Sequence, residues 1–129
     1  MSEGGAVLDA SALLCVLFDE PGADVVEGLM AGARISAVNY GEVVAKLSDR
    51  GVLTEATLAD LNDLAIEVID FDRALARDSG LLRPMTRSRG LSFGARSCLA
   101  LAARLNATAL TADRAWADLD VGATIRLIR

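Results

Sequence analysis

The sequence predicts an α/β fold: a three-layer α/β/α sandwich around a mainly parallel sheet of about five short strands, in one domain spanning residues 1–129. Three observations predict it. Short apolar runs alternate with longer stretches whose apolar residues recur at helical spacing, the pattern of a parallel sheet covered on both faces. Residues that cap helices stand at the junctions between the two. The composition, 53% hydrophobic with only two prolines, supplies apolar surface for two helical layers and leaves no stretch polar enough for a linker.

Each element follows in order. Ala6-Val7-Leu8 reads as a strand that ends at Asp9 and passes directly into a helix over Ser11–Phe18. Asp19-Glu20-Pro21-Gly22 breaks that helix, and Ala23–Ala31 shows a second helical face at Val25, Val26, Leu29 and Met30. Arg34-Ile35-Ser36 is a minimal strand, and Ser36 caps a helix from Ala37 to about Arg50, closed by Gly51. That helix turns Val38, Val43, Val44 and Leu47 inward and carries Glu42 within its first two turns. Thr54 caps a helix through Leu58, Leu61 and Leu64 that ends near Ala65, and Glu67-Val68-Ile69 is a strand. Asp72 caps the next helix, which runs to about Leu82 and is expected to stop at Pro84, with an arginine-rich loop after it. Ser92 opens an apolar helix over Phe93–Leu105, Ala107–Thr111 is a strand, Ala115–Asp118 a helical turn, and Ile125–Ile128 a last strand.

The composition excludes several kinds of chemistry. With no histidine in the chain, imidazole bases, Ser-His or Cys-His triads and histidine metal sites are all ruled out. The two cysteines, Cys15 and Cys98, lie in separate apolar runs and read as buried core thiols rather than a disulfide or a zinc site. The longest strictly apolar run, Ala12–Phe18, falls far short of the ~20 residues of a membrane span. Met1–Gly5 carries an acid and no cationic segment, so no secretory signal is expected and a cytoplasmic location is. The net charge of −5 conceals an asymmetry: residues 1–78 hold fifteen acids and five bases, residues 79–129 three acids and eight bases. Arg83, Arg87, Arg89, Arg96 and Arg104 fall in an acid-free stretch, which fits either a solvated basic face or a phosphate-binding surface.

Ligands of such sheets bind beyond the carboxyl ends of the strands, where strand order reverses, and both Asp9 and Asp113 follow apolar strands. Each aspartate reads equally as a helix cap, and Glu42 as a solvent-facing glutamate. Brought together, the three form an all-oxygen cluster that suits Mg²⁺ or Mn²⁺ and would repel itself without the ion. A haloacid-type phosphoacceptor site at Asp9 is disfavoured: Asp9-Ala10-Ser11 lacks a second aspartate, and the sole lysine is Lys46.

Four segments carry a resemblance: Val7-Leu8-Asp9-Ala10-Ser11-Ala12-Leu13-Leu14; Ile35 to Leu47, with Asn39 and Glu42; Gly90-Leu91-Ser92-Phe93-Gly94; and Thr111-Ala112-Asp113-Arg114-Ala115-Trp116. In order and spacing the chain resembles PIN-domain ribonucleases, particularly the VapC toxins of bacterial toxin-antitoxin pairs. The resemblance implies a Mg²⁺-dependent endoribonuclease that leaves 5′-phosphate and 3′-hydroxyl ends, with Asp9, Glu42 and Asp113 holding the ion. It makes Ser11 and Asn39 hydrogen-bonding supports, gives Thr111 the task of orienting Asp113, and adds Asp118 as a peripheral acid. Arg87, Arg89 and Arg96 are expected on the RNA backbone, with Arg83 and Arg104 beside them. Of the aromatics, Trp116 reads as core, leaving few for base stacking, so recognition by folded shape and phosphate contacts is expected. The implied partners are a VapB-like antitoxin and a second copy of the chain, and the mean hydropathy of +0.38 fits a surface that a partner covers.

One position departs from the pattern. Where the family places an acid at the start of the helix after Leu91-Ser92-Phe93-Gly94, this chain has Ala95. That position is the third of the helix, where a carboxylate would complete a capping box and suit the helix dipole. Its loss removes a charge and a ligand, so weakened or absent activity is expected; a naturally weakened domain and a disarmed toxin both fit. The alternative is a non-catalytic module of the same fold that binds an antitoxin and, through it, operator DNA.

Overall fold

The computed structural model describes residues 5–129, so the expectation for Met1–Gly4 lies outside the described residues. Strand β1 is Ala6–Leu8, followed by helices α1 (Ala10–Leu17) and α2 (Ala23–Gly28). Strand β2 (Ala33–Ser36) leads into α3 (Ala37–Asp49), α4 (Glu55–Asn62) and β3 (Ile66–Ile69). Helices α5 (Arg73–Leu81) and α6 (Arg83–Thr86) precede α7 (Phe93–Leu105), and β4 (Thr108–Thr111) and β5 (Thr124–Leu127) complete the sheet. All pairings are parallel, in the order β3-β2-β1-β4-β5. The chain builds outward from β1 to β3 and then crosses back to place β4 on the other side of β1. The order therefore reverses between β1 and β4, the position where α/β sheets of this kind open a crevice.

Side-chain alternation along the strands divides the core into two layers. Ala6 and Leu8 of β1, Ile35 of β2 and Leu110 of β4 pack with Leu13, Val26, Val43 and Leu47 of α1, α2 and α3. Val7 and Ala109 face the other way, onto Leu75 of α5, Leu99 of α7 and Trp116. Each fully buried leucine or valine contributes about 1.5–3 kcal/mol by leaving water, so the two layers together hold the sheet from both sides. Cys15 and Cys98 are buried and unpaired with each other, as the sequence predicts.

The four predicted caps form: Ser36, Thr54, Asp72 and Ser92 accept from the backbone N–H of Asn39, Thr57, Leu75 and Ala95. Two expectations are corrected. Helix α2 ends at Gly28 rather than Ala31, because the chain must turn at Gly32, φ +74°, to enter β2. Pro84 does not begin a loop. It sits in the first turn of α6, where a missing N–H breaks no bond, and a 3-10 turn over Arg87–Arg89 follows before Gly90 turns the chain at φ +65°. Among the described residues no helix is long and apolar enough to cross a membrane.

Candidate active site at the carboxyl end of the sheet

Asp9 occupies the junction of β1 and α1, in the N-cap position, yet its side chain makes no capping hydrogen bond. It is turned toward two hydroxyls instead. Ser11 Oγ donates to Asp9 Oδ2 at 2.8 Å and Thr111 Oγ1 donates to the same oxygen at 2.9 Å, so Oδ1 accepts from neither. The hydroxyls are themselves aimed by the end of β4: the N–H of Ala112 donates to Ser11 Oγ and the N–H of Asp113 to Thr111 Oγ1, each at 3.0 Å. Two consecutive backbone amides thus set two hydroxyls, and the hydroxyls set one carboxylate. Asp9 is only 8% exposed. Burial raises its pKa, the bonds from Ser11 and Thr111 oppose the rise, and the nearby Glu42 charge adds to it. Thr111 therefore orients Asp9, and it touches Asp113 only through the backbone, a correction to its expected role.

Glu42 reaches the same region from α3. Asn39, fully buried, accepts from Ser36 Oγ at 2.7 Å on Oδ1 and donates from Nδ2 to Glu42 Oε1 at 2.8 Å and to the carbonyl of Gly94 at 2.9 Å. Every polar atom of the Asn39 amide is engaged, which fixes its orientation and that of the carboxylate. Glu42 lies beside the first turn of α7, where the helix dipole favours an anion. Beneath both acids, the thiol of Cys98 is pushed well up, first by burial and then by the charges of Asp9 and Glu42.

Asp113 behaves differently. Like Glu42 it is exposed, but its Oδ1 accepts from the backbone N–H of Ala115 at 2.9 Å, capping the 3-10 turn Arg114–Trp116. Among the described residues no three acids stand close enough to hold one metal ion. The expected cluster of Asp9, Glu42 and Asp113 is therefore not formed: Asp113 caps its own turn, Asp118 is exposed, and Ala95 brings no carboxylate. What remains is an all-oxygen pair, Asp9 and Glu42. Such a pair fits Mg²⁺, which is often held by one or two carboxylates with water and phosphate completing its shell.

The arginines divide by environment. Arg96 is 8% exposed, donates to the Ser79 carbonyl at 3.1 Å, lies over the Phe93 ring and leaves its Nε without a partner, so it is a packing residue of the α5–α7 contact rather than an RNA ligand. Arg89 donates to the carbonyls of Ala115 and Ala117, strapping the turn behind Asp113 instead of facing solvent freely. Arg104 pairs with Asp72 at 2.7 Å. Arg83 and Arg87 are exposed and, among the described residues, in no ion pair. Trp116 is fully buried, as expected.

A family model described as "PIN domain" matches residues 6–122. This chain belongs to the PIN domain family. No curated protein sequence matches significantly. Among solved structures, this PIN domain is similar to a toxin-antitoxin complex from Klebsiella pneumoniae, at TM-score 0.76 and 17% identity over 97% of this chain and 98% of that one. It is also similar to VapBC2 from Rickettsia felis, bound to a DNA fragment from their promoter, at TM-score 0.73 and 18% identity over 95% and 97% of the two chains. A third is DNA-bound VapBC from Salmonella typhimurium, at TM-score 0.74 and 16% identity over 98% and 99%. At these identities the likeness establishes the fold. Sequence reasoning missed one residue of the site, Gly94, because its neighbour Glu42 is distant in sequence and only the crossing of α3 and α7 brings them together.

Proposed function

We propose that this PIN domain is a metal-dependent endoribonuclease toxin of the VapC type, weakened by Ala95, and that a VapB-like antitoxin restrains it. The observation that carries the reading is Asp9: a buried carboxylate at the reversal of strand order that declines its helix cap and is held by two hydroxyls beside a second acid. A structural aspartate gains most by capping, whereas one kept for a cation has to be oriented and left open on one oxygen. Asp9 and Glu42 are the residues that would hold Mg²⁺ or Mn²⁺, which when bound lowers the pKa of a water and polarises a phosphate. Ser11, Thr111 and Asn39 keep the two carboxylates aimed, and Arg83 and Arg87, exposed and in no ion pair among the described residues, are the cations free to meet an RNA backbone. A homodimer, a cytoplasmic location and an antitoxin bound near this crevice belong to the same reading.

The test is restoration. Ala95→Asp is expected to produce or raise Mg²⁺- or Mn²⁺-dependent RNA cleavage, and adding Asp9→Ala is expected to remove it. A folded Ala95→Asp chain with no cleavage of any structured RNA sinks the enzymatic reading. A second reading is favoured by Ala95 and by the absence of a three-acid cluster among the described residues: a non-catalytic module that binds an antitoxin and, with it, operator DNA. A chain that stays monomeric in size-exclusion chromatography and fails to bind any co-encoded small protein counts against that reading.

A further inference from the structure

We propose that Gly94 is a positioning residue for Glu42: a missing side chain in the first turn of α7 creates the space in which the α3 carboxylate lies. The inference rests on reading Asp9 and Glu42 as the seat of a divalent ion. Glycine is among the least favourable residues for a helix, and α7 is otherwise rich in alanine, leucine and arginine. Two explanations for a glycine are general, backbone conformation and lack of room. Gly22 has both, with φ +101° and the Ile128 carbonyl oxygen 2.6 Å from where a Cβ would stand. Gly94 has ordinary helical backbone, so conformation does not explain it. A Cβ there would stand 2.6 Å from Glu42 Cδ and 2.7 Å from Oε1, and nearer still to Oε2.

The three nearest atoms all belong to one carboxyl group, at the end of a flexible side chain. Substitution at this point therefore displaces the carboxylate rather than the helix. The displacement has a further consequence, because Asn39 Nδ2 bonds both Glu42 Oε1 and the Gly94 carbonyl. Moving the carboxylate off α7 pulls it from the donor that aims it. The Ser36, Asn39 and Gly94 contacts act together as a cradle, closed on one side by an amide and on the other by a glycine Cα. In this respect the Glu42 arm matches the Asp9 arm, whose carboxylate is held by Ser11 and Thr111.

The test uses the full chain, with Gly94→Ala, Glu42→Ala and the double variant. Without metal, Gly94→Ala in the Glu42→Ala background is expected to raise Tm by about 4 °C, the gain in helix propensity alone. In the parent background it is expected to raise Tm less or to lower it. Equal shifts in both backgrounds overturn the contact. With Mn²⁺, followed by the electron paramagnetic resonance of the free ion, Gly94→Ala is expected to weaken binding by about 10-fold or more, the scale typical of residues that orient a metal ligand. Adding Glu42→Asp, which withdraws the carboxylate by one methylene, is expected to recover part of that loss, as a general folding defect would not. Parent binding with no loss in Gly94→Ala overturns the positioning role alone. A parent chain that binds no Mn²⁺ overturns the metal reading and the positioning role with it, while the thermal comparison still reports the contact.

Discussion

The carboxyl ends of β1 and β4 look alike in sequence and behave differently in the structure. Each strand is followed by an aspartate within two residues, each aspartate stands at the N-cap of a helical segment, and the two strands are neighbours. Asp113, exposed, caps its turn. Asp9, buried, does not cap; it accepts two hydroxyl bonds on one oxygen. The difference lies in what surrounds them. Both strands have a neighbour on each side, but the end of β1 is closed in by α1 and by the hydroxyl of Thr111, whereas the chain leaving β4 comes out to solvent at Asp113 and Arg114 before Trp116 returns to the core. An aspartate after a strand is therefore a structural cap where water can solvate it, and a candidate ligand where neighbouring elements supply its hydrogen bonds.

Removing Asp9 tests that comparison most strongly. In the Ala95→Asp background, Asp9→Asn is expected to lower Mg²⁺-dependent RNA cleavage by more than ~100-fold, beyond the loss typical of supporting residues. The same change is expected to raise the Tm of the metal-free protein at pH 7. Burial lifts the folded-state pKa of Asp9 above its unfolded value, so its ionised form opposes folding, an opposition that fades as pH falls through the folded pKa. Thermal scans across pH check this: the Asp9→Asn gain is largest at neutral pH and shrinks on acidification. A loss of Tm at pH 7 would mean that the carboxylate is structural after all.

Thr111→Val comes next. It keeps the shape, removes one donor to Asp9 and leaves the Asp113 N–H without its acceptor. Mn²⁺ affinity is expected to fall by about 10-fold or more, with ~1–3 kcal/mol of stability lost by chemical denaturation from the unpaired buried groups. Asp113→Ala is expected to act least. Loss of the cap costs about 1 kcal/mol, and cleavage by the Ala95→Asp chain is expected to change only a few-fold; a loss as large as that of Asp9→Asn would place Asp113 among the ion's ligands and erase the contrast between the two strand ends.

Much of this was legible in the sequence. Strands and helices alternate where apolar spacing changes, and Ser36, Thr54, Asp72 and Ser92 cap the helices they precede, because capping is a local interaction between residues a few positions apart. Asp9, Ser11, Asn39 and Glu42 were legible as candidates through the resemblance, and the structure links Ser11 to Asp9 and Asn39 to Glu42 by hydrogen bonds. The misreadings concern direction and distance. A run of arginines reveals charge but not orientation: Arg96 points into the α5–α7 contact and Arg89 onto two carbonyls. Pro84 reads as a stop because a proline inside a helix breaks a bond, but within a first turn there is none to break. Gly94 passes as an ordinary motif glycine until the fold places Glu42 against it.

The reversal of strand order between β1 and β4 also sets a timetable. The hydroxyl and the two backbone amides that seat Asp9 come from residues about a hundred positions further along, whereas β2, its other neighbour, follows soon after. During synthesis the first acid leaves the ribosome early and stays without its seat until nearly the whole polypeptide has emerged. The nuclease centre proposed above can therefore assemble only once the fourth strand has docked.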